Sequence, residues 1–169
     1  AQSINKGISI ERQYFLAGEQ NCPSNPECEP IQAVELSPGD PSQLITVSLT
    51  LTIASDMVNF MLEDFIPAGT EIVNRQFLTT QSLPEGSDPI YNPRAPFDEG
   101  WGWWYFNSPH IYDDHILWTA AFLPAGMYTL TYELLPFQRG TFQVLPAHAW
   151  LYYYPEVMGT STGDLFTIE

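Results

Sequence analysis

Positive charge is scarce in this 169-residue chain. Its five basic residues are Lys6, Arg12, Arg75, Arg94 and Arg139, against twenty acidic ones, for a formal net charge of −15. A chain so poor in cations cannot neutralise a row of phosphates, which excludes nucleic acid as a partner. The same deficit argues against an anionic membrane surface. No apolar run approaches the roughly 18 residues of a membrane-spanning helix, so direct membrane insertion is not expected. The opening residues Ala1-Gln2-Ser3-Ile4-Asn5-Lys6 lack a basic stretch followed by an apolar one. A signal for export, if the protein is exported, is expected to lie outside this chain.

Cysteine is also scarce. Cys22 and Cys28 are the two present, separated by five residues of loop sequence, two of them prolines. Nothing nearby supplies further metal ligands, so a small disulfide-closed loop in an oxidising compartment is the favoured reading over two free surface thiols. Apolar residues at helical spacing are missing throughout, which excludes a helical bundle. Missing too are a G-x-S-x-G elbow, a glycine-rich phosphate loop and a D-x-D-x-D calcium pattern, so no cofactor, metal or nucleophilic catalysis is expected.

What is present points to strands. Aromatic residues make up 14% of the chain and there are fifteen prolines. Aromatic and β-branched residues suit pleated surfaces, and prolines and glycines punctuate short strands. The segment 44–54 alternates most clearly, with Ile45, Val47, Leu49, Leu51 and Ile53 on one face and Thr46, Ser48, Thr50 and Thr52 on the other. Further strands are expected over 4–16 (with Ile8, Ile10, Arg12 and Tyr14 sharing a side), 32–36, 58–65, 71–78, 113–122, 128–134, 140–144, 147–153 and 164–168. A long loop is expected over 84–100. Ile66-Pro-Ala-Gly69 and Leu123-Pro-Ala-Gly126 read as two equivalent corners. The fold class is therefore all-β: one domain over residues 1–169, an antiparallel sandwich or barrel.

Candidate chemistry is sparse. The adjacent carboxylates Glu63-Asp64, Asp98-Glu99 and Asp113-Asp114 point to opposite faces if on strands, so no pair alone makes a glycosidase site. They read as solvated acids at strand ends. A small glycosidase using Glu63 or Glu133 remains a reading to test. Asp113-Asp114-His115 resembles a metal-ligand cluster by composition only, and His110 and His148 lack spaced metal partners. The aromatic run containing Trp101, Trp103 and Trp104 is a candidate sugar-stacking platform, against the plainer role of packing on a sheet. Tyr152-Tyr153-Tyr154 before Pro155 and Glu156 is either a loop pressed against another surface or two core-facing rings, Tyr152 and Tyr154, flanking an exposed Tyr153.

Taken in order, a longer set of motifs resembles a known family. The carboxyl half carries Asp113-Asp114-His115, Gly126-Met-Tyr128 with Tyr132, Gly140-Thr-Phe142, Leu145-Pro-Ala147-His-Ala149, Tyr152-Tyr153-Tyr154-Pro155-Glu156 and Gly159-Thr-Ser161. The amino half carries Arg12-Gln-Tyr14, Gly39-Asp40 and Asp64-Phe-Ile-Pro67-Ala-Gly69-Thr-Glu71. This pattern resembles the carboxyl-terminal, MG10-type macroglobulin-like domain of bacterial α2-macroglobulins, over almost the whole chain. The resemblance implies a macroglobulin-like, immunoglobulin-like antiparallel β-sandwich. It implies the terminal part of a much larger extracytoplasmic protease inhibitor (periplasmic, cell-surface or secreted). Its partners would be other domains of the parent chain and, through the whole inhibitor, target endopeptidases. It also implies that Tyr152–Glu156 is a docking loop that shields a thioester on a neighbouring helical domain. Here Tyr152 stands where the family has Met, and Trp150 where it has Glu. The segment Ala17-Gly-Glu-Gln20 differs from a thioester motif at its first residue, so no thioester can form within this chain.

Overall fold

The computed structural model describes residues 2–17, 27–36, 44–73 and 100–169. Thirteen strands are defined among them, with one short 3-10 turn, Trp103–Tyr105, and no α-helix among the described residues. The strands are β1 (Ile4–Lys6), β2 (Ile8–Leu16), β3 (Ala33–Val34), β4 (Ile45–Ile53), β5 (Met57–Phe65), β6 (Thr70–Ile72), β7 (His110–Ile111), β8 (His115–Leu123), β9 (Gly126–Pro136), β10 (Gly140–Val144), β11 (His148–Leu151), β12 (Met158–Thr160) and β13 (Asp164–Ile168).

Three sheets result. A four-stranded sheet has the order β2-β4-β9-β6, a six-stranded sheet β1-β12-β11-β5-β8-β7, and a three-stranded sheet β10-β13-β3. All pairings between strands are antiparallel except β13 with β3. The two larger sheets stack face to face and share one apolar core. Ile10, Leu49 and Leu130 enter it from the four-stranded sheet, and Phe60, Leu62 and Trp118 from the six-stranded one. The chain is therefore an antiparallel β-sandwich.

Local sequence explains most of this. The apolar face of β4 is fully buried, as its alternation requires, and β4 pairs with β2 on one side and β9 on the other along its own whole length. The 4–16 segment is not one strand but two. Gly7, at φ 100°, takes a conformation that side chains resist, and the chain there passes from the six-stranded sheet to the four-stranded one. The Ile66–Gly69 and Leu123–Gly126 corners are equivalent in topology. Each carries the chain from the six-stranded to the four-stranded sheet, from β5 to β6 and from β8 to β9. The strand expected over 71–78 is seen as Thr70–Ile72, with residues 74–78 lying outside the described ones, as does most of the 84–100 loop. β11 ends at Leu151, so the tyrosines after it belong to a loop and not to the strand.

Asp64 corrects the reading of the paired acids as solvated groups. It is fully buried between the sheets. Arg12 of β2 donates to it at 2.5 Å, and the Tyr132 hydroxyl of β9 also donates to it. Arg12 further donates through Nε to Asp164 of β13 at 2.8 Å and through Nη1 to the Leu145 carbonyl at 2.9 Å. One guanidinium thus ties all three sheets together. Burial pushes the Asp64 carboxyl upward, with Arg12 and Tyr132 acting against that push. For Arg12 burial works against the charge, but Asp64, Tyr14 and Asp164 outweigh it and keep it a firm cation.

Candidate docking site

The loop between β11 and β12 carries the tyrosine run. Tyr152, Tyr153 and Tyr154 are 61%, 68% and 59% exposed, and Pro155 and Glu156 are exposed as well. None of the three rings faces the core, which overturns the alternative in which Tyr152 and Tyr154 point inward. The reason is the early end of β11. Ala149 and Leu151 supply its inward face, and beyond Leu151 the backbone turns. Tyr154 N–H donates to the Leu151 carbonyl at 3.2 Å, and Val157 N–H to the Tyr154 carbonyl at 3.0 Å. Leu151 N–H donates to the Val157 carbonyl at 3.2 Å, closing the loop at its base.

The loop is also held from the side. Tyr152 N–H donates to the carbonyl of Asn59 on β5 at 2.9 Å. Asn59 has φ 53°, and among the described residues it is the one non-glycine with positive φ. Asparagine tolerates this region better than most side chains. The Tyr152 and Tyr153 rings meet edge to face, 5.0 Å between centroids and 88° between planes. The site is thus a backbone-anchored loop presenting aromatic area and hydroxyls outward. Such rings combine large apolar surface with a polar tip, which suits a contact with another protein surface.

The tryptophans lie in a second aromatic group. Trp101 and Trp104 are 54% and 48% exposed, and Trp103 packs against the core. The segment closes the side of the sandwich. Thr129 N–H of β9 donates to the Trp101 carbonyl at 3.0 Å, and Asn107 N–H donates to the Thr119 carbonyl of β8 at 2.8 Å. Trp101 and Trp104 meet at 69° with centroids 5.4 Å apart, so they form no common flat platform. Buried Tyr128 supports Trp101, Tyr105 and Phe106 from beneath.

The remaining candidates separate. Leu62 and Asp64 are buried on β5, so Glu63 between them points out from the six-stranded sheet. Tyr132 and Leu134 face the core on β9, so Glu133 lies on the opposite face of the four-stranded sheet, where it is itself buried. The core lies between these two carboxylates, and they share no cleft. Glu63 sits 3.7 Å from His148, which stacks on Trp150. His115 accepts or donates at 2.6 Å to Asp114 and stacks on Tyr112. No group of three metal-binding side chains occurs among the described residues. Of the Cys22–Cys28 link, Cys22 lies outside the described residues, and no free cysteine occurs among the described ones. Asp98 and Glu99 also lie outside them. No described helix is long and apolar enough to cross a membrane. Composition alone could not have found the Arg12–Asp64 pair, but the placement of Arg12 on the apolar side of β2 was a visible signal for it.

Comparison with known proteins gives a consistent picture. A family model described as bacterial alpha-2-macroglobulin MG10 domain matches residues 7–156. The chain is 28% identical over 127 residues to an alpha-2-macroglobulin homolog of Nostoc sp., covering 75% of this chain and 6% of that protein. It therefore spans a small fraction of the relative it matches. Among solved structures, native alpha-2-macroglobulin of Escherichia coli, from domain MG7 to the C-terminus, is similar with a TM-score of 0.70 at 18% identity. That match covers 100% of this chain and 24% of the other. A Salmonella alpha-2-macroglobulin reacted with methylamine gives a TM-score of 0.68 at 20% identity, covering 99% of this chain and 10% of that one. At these identities the structural likeness shows the fold.

Proposed function

This chain belongs to the bacterial alpha-2-macroglobulin MG10 domain family, and from that premise we propose that it is a docking and shielding module of a larger protease inhibitor. In this reading the domain is an interaction module and not an enzyme. It is the carboxyl-terminal domain of its parent chain and packs on that chain's thioester-type helical domain. The observation that carries the reading is the Tyr152–Glu156 loop: exposed tyrosines on a backbone anchored at both its base and its side. A thioester reacts with water, so a surface that covers it must exclude water by area. A tyrosine ring does this while its hydroxyl satisfies a polar neighbour. The other domains of the parent are its direct partners, and target endopeptidases are met by the whole inhibitor. An extracytoplasmic location and a Cys22–Cys28 disulfide fit the same reading.

The test uses the full-length parent. Tyr153→Gly is expected to speed methylamine incorporation in the uncleaved protein, read by mass. Incorporation as slow as in the unaltered protein would sink the shielding role. The second reading, carbohydrate binding by Trp101, Trp103 and Trp104, keeps one supporting observation, the half-exposed rings of Trp101 and Trp104. Quenching of tryptophan fluorescence by oligosaccharides would move it forward.

A further inference from the structure

One end of the six-stranded sheet departs from alternation in two strands at once. On β5, Phe60 and Leu62 are buried, so strict alternation would bury Val58 too. Instead Met57 is buried and Val58 is 52% exposed. On β8, Ala120 is buried, so Phe122 should be as well, yet Leu123 is buried and Phe122 is 49% exposed. Val58 and Phe122 are direct register partners, and pairing is in the same register on both sides of this point. The phase slip falls at Asn59 and Ala121, and Asn59 is the residue held at φ 53°. An ordinary strand would have buried this pair at no conformational cost. Here a residue in a sparsely occupied conformation accompanies the turning of two apolar side chains toward solvent.

The same residue anchors the tyrosine loop, because the Asn59 carbonyl accepts from Tyr152 N–H. Phe122, Val58 and the Tyr152–Tyr153 turn therefore occupy successive positions across β8, β5 and the end of β11. None of these side chains is charged, in a chain with twenty acids. We propose that Val58 and Phe122 extend the tyrosine loop into one continuous docking surface, occupied by the same neighbouring domain of the parent chain. This rests on the reading of Tyr152–Glu156 as a docking loop. The occupant is assigned to the parent chain because the surface continues that loop, and because the relative matched is far longer than this chain. The matching face of that domain is apolar and uncharged, since an acid-rich module with a bare strip selects against a charged partner at its centre.

The experiment is photo-crosslinking in the full-length parent. Phe122→p-benzoylphenylalanine and Tyr153→p-benzoylphenylalanine are made separately, and cross-linked peptides are identified by mass. Both positions are expected to label the same domain. Labelling from position 153 alone, or of a different domain from position 122, overturns the shared surface and leaves the loop reading standing. No labelling from position 153 overturns both. Hydroxyl-radical footprinting of the unaltered parent gives an independent readout. Protection of Phe122 together with Tyr153 is expected, and oxidation of Phe122 beside a protected Tyr153 overturns the proposal.

Discussion

Arg12 and Asp64, 52 residues apart in sequence, meet in the core at 2.5 Å with both side chains shut off from solvent. The pair joins the two stacked sheets, and Asp164 and Tyr132 complete it from β13 and β9. Taking two charges out of water is costly, and the pair repays this only while every member is in place.

Removing one partner should therefore be severe. Asp64→Ala leaves the Arg12 charge buried beside a partly exposed Asp164 and is expected to cost about 3–5 kcal/mol. The urea midpoint of the chain should fall with little change in slope. The double change Arg12→Met with Asp64→Leu should cost less than the sum of the two single losses.

Alkaline stability should report on Tyr132. Its burial beside Asp64 holds its phenol well above the ordinary range, and burial does the same for Tyr14. A phenol of raised folded pKa binds its proton more tightly in the folded than in the unfolded chain. Its contribution is whole below the unfolded pKa of about 10 and is lost as pH rises through the folded value. Titration followed by phenolate absorbance should leave Tyr14 and Tyr132 silent until the chain unfolds, with Tyr128, also raised by burial, titrating late. Tyr132→Phe should flatten the alkaline loss of stability. It should also cost about 1–3 kcal/mol at neutral pH, because Asp64 then lacks a donor.

Asp114 gives the opposite sign. Its hydrogen bond to His115 holds the exposed carboxyl below the usual carboxylate range. The contribution is present above that range and is lost as pH falls through the folded value. A carboxyl carbon titration by nuclear magnetic resonance should place its midpoint low, and His115→Ala should return it toward the ordinary value.

Gly102 sets the aromatic segment. It stands at φ 87° before the 3-10 turn, and a Cβ there would collide with the Tyr128 ring. Gly102→Ala is expected to cost more than about 1 kcal/mol. Near-ultraviolet circular dichroism should show the tryptophan bands weakened while the sheet signal persists. An unchanged aromatic spectrum would mean that the segment is not held by this contact.

Much of the fold was legible locally. The alternation of β4 named its buried face residue by residue, and the two Pro-Ala-Gly corners marked equivalent crossings between sheets. The candidate site was legible in part. The tyrosine run stood out, but whether its rings turned inward depended on where β11 ended. Asp64 was misread because an acid beside Glu63 looks like any solvated strand end, and nothing local reveals a cation across the core.

Period-2 patterning and turn residues act over a few residues, so the sequence alone determined the all-β class and the apolar face of β4. Burial of Asp64, the outward turn of Val58 with Phe122, and the exposure of all three tyrosines were decided only in the tertiary structure. Each depends on a partner brought from another strand: Arg12 and Tyr132 for the first, β8 for the second, and the Asn59 carbonyl for the third. A periodic pattern says which face a side chain takes in an unbroken strand. It does not say where long-range pairing stops the strand or shifts its phase.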